Sequence, residues 1–118
     1  MNQNIPLNIS PKELNKILED DYSEKPFIVD VREEDEIAIA SFSFSVLHLP
    51  LSKAANWSVN IAELLPKDQP ILVVCHAGVR SLNFGMWLLE QGITKRVWNL
   101  VGGIDAWSTD VDQSVPRY

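Results

Sequence analysis

Residues 71–81 read "ILVVCHAGVRS", and the reading of this stretch decides the fold. Four apolar residues, most of them β-branched, run straight into Cys75, the only cysteine of the 118-residue chain. An unbroken apolar run of this length, bounded by turn residues, reads as a buried strand. Arg80 follows five residues after the cysteine, with Gly78 between them. Arg80 then opens a helical pattern that extends to Gln91 and stops at Gly92, a residue suited to a helix C-terminus. The stretch is therefore a strand, a short loop carrying a thiol, and a helix.

Working outward, short β-rich runs alternate with helical patterns on both sides. Residues 7–10, "LNIS", form a brief strand candidate. "SPKEL" then signals a helix start, with Ser10 as N-cap, Pro11 at the first helical position and Glu13 completing a capping box. Leu14, Ile17 and Leu18 give that helix an apolar stripe. "FIVDV" (27–31) reads as a buried strand, followed by an acidic helix through about Ala40. Residues 45–50 form a third strand, and residues 56–65 a helix closed by Pro66. "RVWNL" (96–100) is the fifth strand, and Gly102-Gly103 turns into a short helix ending near Trp107. Strands alternating with helices predict an α/β fold with a mainly parallel five-stranded central sheet, in a single domain spanning residues 1–118. In such folds function gathers in loops at the carboxyl ends of the strands, where Asp30 and Cys75 both fall.

The totals exclude several function classes. Net charge is −6 and the isoelectric point about 4.7, so no basic patch recommends a nucleic-acid or anionic-membrane partner. The run Glu33-Glu34-Asp35-Glu36 reads as a solvated helix start, since carboxylates favour a first turn. No apolar run is long enough to span a bilayer, and "MNQNIPLNIS" has neither the basic nor the apolar region of an export signal. One cysteine forms no internal disulfide framework, which fits a reducing, cytoplasmic setting. With one Cys and two scattered His, no metal site is expected.

The chemistry points to the cysteine loop. Amide N–H groups between a strand and a helix N-terminus turn inward to cradle an anion, and the helix end adds a favourable dipole. Gly78 allows a left-handed bend, and a cysteine at the centre of the cradle has its thiolate favoured. Arg80 adds a fixed positive charge. The combination describes an activated sulfur nucleophile in an anion pocket. Taken alone, a lone cysteine reads as a small buried hydrophobe; its place between strand, glycine, arginine and helix favours the reactive reading. His76 reads as loop filling or a specificity contact, and His48 as a core or edge residue.

"CHAGVRS" resembles the active-site loop of single-domain rhodanese-like sulfurtransferases, C-x-x-G-x-R-S. "DVREEDEI" (30–37) resembles that family's D-V-R-x-x-x-E segment, "LVGGIDAW" (100–107) its G-G-x-x-A-W, and "ISPKEL" its opening. The resemblance implies a rhodanese fold with helices on both faces of the sheet. It also implies a cycle in which Cys75 takes a sulfane sulfur from a donor such as thiosulfate and passes it to cyanide or a thiol. His76, Ala77, Gly78, Val79, Arg80 and Ser81 would form the loop that holds donor and persulfide. No cofactor is expected. The partners would be a small sulfur-containing anion or thiol, or a sulfur-acceptor protein. The family's G-H-I-P-G-A segment is lacking at residues 39–51, and His76 and Ala77 stand where some thiosulfate-preferring members carry basic residues. Asp30 reads as a support that holds the loop or Arg80, and Arg32 as a partner of Glu36. Gly85 inside a helix suggests close approach to the sheet. Trp107 reads as a core cap, and Trp57 and Trp87 as core or rim.

Three other readings compete. A rhodanese-fold cysteine phosphatase or arsenate reductase would use C-x5-R, which leaves room for a tetrahedral anion. Here Cys75 and Arg80 are spaced C-x4-R, a smaller cradle better suited to one sulfur atom. A regulatory module would need no cysteine, and a sulfur relay would use the same chemistry with a protein thiol as recipient.

Overall fold

The computed structural model describes residues 5–118; the part of the export-signal reading that rests on residues 1–4 lies outside them. Burial of both strand faces organises the fold. In β4 (Ile71–Val74) all four residues are fully buried, which requires cover on both sides of the sheet. Helices supply it on either face. Odd-numbered Val29, Ile71, Val73 and Val97 pack with Phe84 and Leu88 of α5 (Val79–Glu90), while Ile28, Leu72, Val74 and Leu100 pack with Leu14, Ile104 and Trp107.

Among the described residues there are five strands, all parallel, in the order β1-β5-β4-β2-β3. They are β1 (Leu7–Ile9), β2 (Phe27–Asp30), β3 (Leu47–His48), β4 and β5 (Val97–Leu100). The helices are α1 (Pro11–Glu19), α2 (Glu34–Ile39), α3 (Ala54–Trp57), α4 (Ile61–Leu64), α5 and α6 (Gly103–Asp110). Asp30 is level with Val74, and Val73 with Asn99. That register brings the carboxyl ends of β2, β4 and β5 to one edge, and with them "DVR", the Cys75 loop and Gly102-Gly103.

The capping box of α1 forms as the sequence predicts: Glu13 N–H donates to Ser10 Oγ at 3.1 Å, and Ser10 N–H to Glu13 Oε1 at 2.9 Å. Gly85 is close-packed, as its position suggests. A β-carbon there would lie 2.8 Å from Pro6 and 2.9 Å from Val97. Gly92 ends α5 with φ of 68°, the left-handed conformation that only glycine adopts freely.

Two elements depart from expectation. The third strand is confined to Leu47–His48: among the described residues it is an edge strand paired with β2 alone, and after Leu49 N–H donates to Asp30 O at 2.9 Å the chain turns at Pro50 into a 3-10 turn at Leu51–Lys53. The helix expected over residues 56–65 is broken into α3, a 3-10 turn at Ser58–Asn60, and α4. Ser58, Val59 and Asn60 are weak helix formers, and Trp57 Nε1 donates to Pro50 O at 2.9 Å, anchoring the first piece to the preceding turn. Leu65 is extended, as a residue before proline prefers.

Candidate active site

Cys75 follows the last residue of β4 and is 1% exposed. Its Sγ accepts the N–H of Gly78 at 3.1 Å and of Ser81 at 3.4 Å. The second amide belongs to the first turn of α5, so the sulfur lies at the positive end of a 12-residue helix. Gly78 makes the return possible with φ of 96°, and a β-carbon on it would lie 3.0 Å from Gly102 N and 3.3 Å from Leu100 O. The loop is also held from the far side. Ile104 N–H donates to Cys75 O at 2.9 Å and Asp105 N–H to His76 O at 3.1 Å, so the N-terminus of α6 is docked on the loop carbonyls. A β-carbon on Gly103 would collide with those same two oxygens. "CHAGVR" and "GG" are thus two halves of one backbone device.

Behind the sulfur lies a buried polar chain. The Cys75 thiol donates to Ser81 Oγ at 3.2 Å, and Ser81 Oγ donates to Asn99 Oδ1 at 2.6 Å. Asn99 Nδ2 donates to Gly78 O at 3.3 Å and to Asn8 Oδ1 at 3.1 Å. Ser81 is fully buried and Asn99 is 3% exposed, so protein groups supply their bonding.

The charged groups pair differently from the sequence reading. Arg80 does not meet Asp30. Its Nη1 and Nη2 form a bidentate pair with Glu36 Oε2 and Oε1 at 2.7 and 2.8 Å. Asp30 is instead occupied by Arg32, whose Nε donates to both carboxylate oxygens at 3.1 Å and whose Nη2 donates to Oδ2 at 2.9 Å. The reason is local: the Arg32 amide bonds Asp30 Oδ1 at 3.0 Å just past the strand end, folding the guanidinium onto its neighbour. Both residues are buried, where an unpaired charge is costly. Arg32 accordingly reaches Glu36 through its backbone oxygen, at 3.4 Å, and leaves the carboxylate to Arg80.

Glu36 is the hub of this cluster. Besides Arg80 it accepts the Glu33 N–H at 2.9 Å and the Tyr118 hydroxyl at 3.0 Å. The Arg80 guanidinium holds its carboxyl at about 2, far below the ordinary 4.5. Glu36 in turn raises Arg80, which stays cationic. Burial pushes the Tyr118 phenol upward and keeps it a donor to Glu36, while its oxygen accepts Arg32 Nη1 at 3.0 Å. The Tyr118 ring stacks on His76 with centroids 4.1 Å apart, and His76 Nε2 is enclosed with no hydrogen-bond partner among the described residues. Ala77 and Val79 are exposed on the outer side of the loop. His48, on the edge strand, places Nε2 2.5 Å from Arg32 O. Trp107 is 3% exposed and caps the core as expected.

The sequence reading missed Asn99 and Tyr118. The signal for Asn99 was present: a lone amide inside the apolar run "VWNL" has to find buried partners. Tyr118 gave none, lying 86 residues from Arg32. Two surface cavities are lined by other residues, one of about 510 Å³ by residues such as Leu18, Phe27 and Phe44, and one of about 390 Å³ by residues such as Lys67, Gly92 and Arg96. Among the described residues no group of three or more His, Cys, Asp or Glu could hold a metal ion, and no helix is long and apolar enough to cross a membrane.

A loop that wraps backbone amides around a thiol at a strand-to-helix turn, with an arginine on the first helical turn, defines a class. The chain belongs to the rhodanese-like domain family, whose model matches residues 10–110. It is 37% identical over 113 residues to the rhodanese-like/PpiC domain-containing protein 12, chloroplastic, of Arabidopsis thaliana, covering 94% of this chain and 37% of that protein. It is 35% identical over 80 residues to the thiosulfate sulfurtransferase GlpE of Coxiella burnetii, covering 68% of this chain and 69% of that one. The crystal structure of a Pseudomonas aeruginosa thiosulfate sulfurtransferase superposes with a TM-score of 0.74 at 26% identity, over 95% of this chain and 20% of that one. The chain thus spans little more than a third of the Arabidopsis relative and about two thirds of the Coxiella one.

Proposed function

We propose that the protein is a sulfurtransferase that carries sulfane sulfur on Cys75 from a small anionic donor, thiosulfate in the simplest assay, to cyanide or a thiol. The observation that carries this reading is the pair of amides, from Gly78 and Ser81, converging on Sγ at a helix N-terminus. Such a cradle stabilises negative charge on sulfur without a cofactor.

In the first half-reaction the Cys75 thiolate attacks the outer sulfur of thiosulfate. A new S–S bond forms, and the bond to the sulfite group breaks with its electron pair leaving on sulfite. The loop amides and Arg80 face the charge left on the persulfide. In the second half-reaction the acceptor attacks the terminal sulfur, and the S–S pair returns to Sγ as thiolate. Thiosulfate binds through charge, and Arg80 keeps three N–H groups beyond the two that hold Glu36. The C-x4-R loop, one residue shorter than C-x5-R, favours a small donor over a bulky ester.

The test is thiocyanate production from thiosulfate and cyanide, run beside hydrolysis of p-nitrophenyl phosphate. Turnover that disappears in Cys75→Ser, with no Cys75-dependent phosphatase rate, is the expected result. Efficient Cys75-dependent hydrolysis would make a phosphatase the better reading. A thiol on a partner protein as acceptor, and a cytoplasmic setting, belong to the same proposal.

A further inference from the structure

The buried chain behind Cys75 has a fixed direction, set by atoms whose roles are not interchangeable. Gly78 O can only accept, so the end of Asn99 that faces it, at 3.3 Å, is the NH2 group. The other end is then the carbonyl oxygen, which can only accept. Ser81 Oγ lies 2.6 Å from that oxygen and must donate its single proton to it. Ser81 therefore turns lone pairs toward Sγ, and the sulfur can use that contact, at 3.2 Å, solely by donating an S–H. The two amides favour a negative sulfur, while the serine oxygen favours a thiol.

We propose that Asn99 is a positioning residue that sets this polarity, holding Cys75 as a thiol through Ser81 until the Ser81 hydroxyl reverses to donate to the sulfur. This rests on the reading of Cys75 as the reacting nucleophile. On activation the thiol proton leaves to solvent or substrate, the Ser81 O–H rotates from Asn99 Oδ1 to the thiolate, and Asn99 Oδ1 gives up its donor. Asn99 also holds Gly78, whose amide contacts the same sulfur, so one side chain governs both the amide cradle and the proton polarity. The charged and titratable groups on the elements packed around the Cys75 loop are Arg80 with its partner Glu36, His76 with Tyr118 stacked upon it, the Asp30–Arg32 pair at the end of β2, and Asp105 with Arg117 at the start of α6. Among the described residues none of these side chains hydrogen-bonds Ser81 or Asn99.

The experiment measures iodoacetamide alkylation of the sole cysteine against pH, in the full chain and in Asn99→Ala, Ser81→Ala and the double variant. Asn99→Ala frees the Ser81 hydroxyl to donate to the thiolate. It is expected to alkylate about fivefold faster on the acidic side of the profile, the factor one hydrogen bond carries, with no gain at high pH. The double variant is expected to lose that gain, because no hydroxyl remains. A gain of equal size with and without Ser81 would show that Asn99 merely keeps the loop closed and would overturn the proposal. Asn99→Val, better suited to a strand, repeats the comparison if the alanine variant unfolds. A second measurement needs no variant: the S–H stretching band, assignable because Cys75 is the only cysteine. At neutral pH it is expected at the frequency of a thiol donating a hydrogen bond, and a band at the free-thiol frequency overturns the proposal. Both readouts are independent of sulfur transfer, so a chain that alkylates as described yet forms no persulfide would sink the proposed activity and leave this inference standing.

Discussion

Replacing Glu36 by glutamine tests how the arginine of the loop is held. The amide keeps the size of the side chain but removes its charge and turns one oxygen into a donor, which faces Arg80 whichever oxygen is replaced, with a second donor beside it, the Glu33 N–H at Oε2 or the Tyr118 hydroxyl at Oε1. The carboxyl, ordinarily at 4.5, is held at about 2 by Arg80. Taken whole, that difference is worth about 3 kcal/mol. The Arg80 side chain is 37% exposed, so solvent screening reduces the figure to about 1–2 kcal/mol. The sign follows from the depressed value. The stabilisation is complete above the unfolded carboxyl's 4.5 and is lost as pH falls toward about 2. Urea denaturation of the native chain and Glu36→Gln at about pH 7 should differ by that amount, and the difference should shrink steadily below about pH 4.5. Arg80→Ala should cancel most of the effect, since neighbours that share one interaction are not additive. An unchanged difference between the two proteins from neutral to acid pH would refute the assignment of Glu36 as an ionised partner of Arg80.

Other perturbations separate backbone from side-chain contributions. Gly103→Ala should cost more than 2 kcal/mol, as expected of a β-carbon forced into backbone at positive φ; chemical denaturation checks it, and cyanide turnover should fall with it because the Cys75 and His76 carbonyls must move. Arg80→Ala should lower thiosulfate turnover by about one to two decades, the worth of a charge-assisted hydrogen bond, and Arg80→Lys should restore part of it, since an ammonium lacks the planar fork. Tyr118→Phe removes the hydroxyl that bonds Glu36 and Arg32 but keeps the ring on His76. It should lower stability by about 1 kcal/mol in the same denaturation assay, leaving the thiol's alkylation rate unchanged.

What the sequence disclosed depended on whether the cause was local. The strand "ILVV" was legible because both of its faces are buried, and the start of α1 because capping is settled within four residues. The Cys75 loop was legible for the same reason: a strand end, a glycine and a helix start fix where the amides point. Charge pairing was not. Asp30, Arg32, Glu36 and Arg80 admit several pairings on paper. The register of β2 against β4, and the turn of Arg32 back onto Asp30, chose one. Asn99 belongs between these cases, since its polarity was visible but its partners, Ser81 and Gly78, are brought to it by the β4–α5 turn. The broken helix over residues 56–65 reflects a competition that periodicity does not register, between weak helix formers and the Trp57 bond to Pro50.

The central claim is that Cys75 carries the transferred sulfur, and intact-protein mass spectrometry tests it most directly. After incubation with thiosulfate and removal of excess donor, the chain is predicted to gain one sulfur mass, localised to Cys75 by fragmentation. Cyanide should return it to its starting mass with one equivalent of thiocyanate released, and Cys75→Ser should gain nothing. A native chain that folds, leaves its thiol open to alkylation and yet acquires no sulfur from thiosulfate or any other sulfane donor would contradict the account.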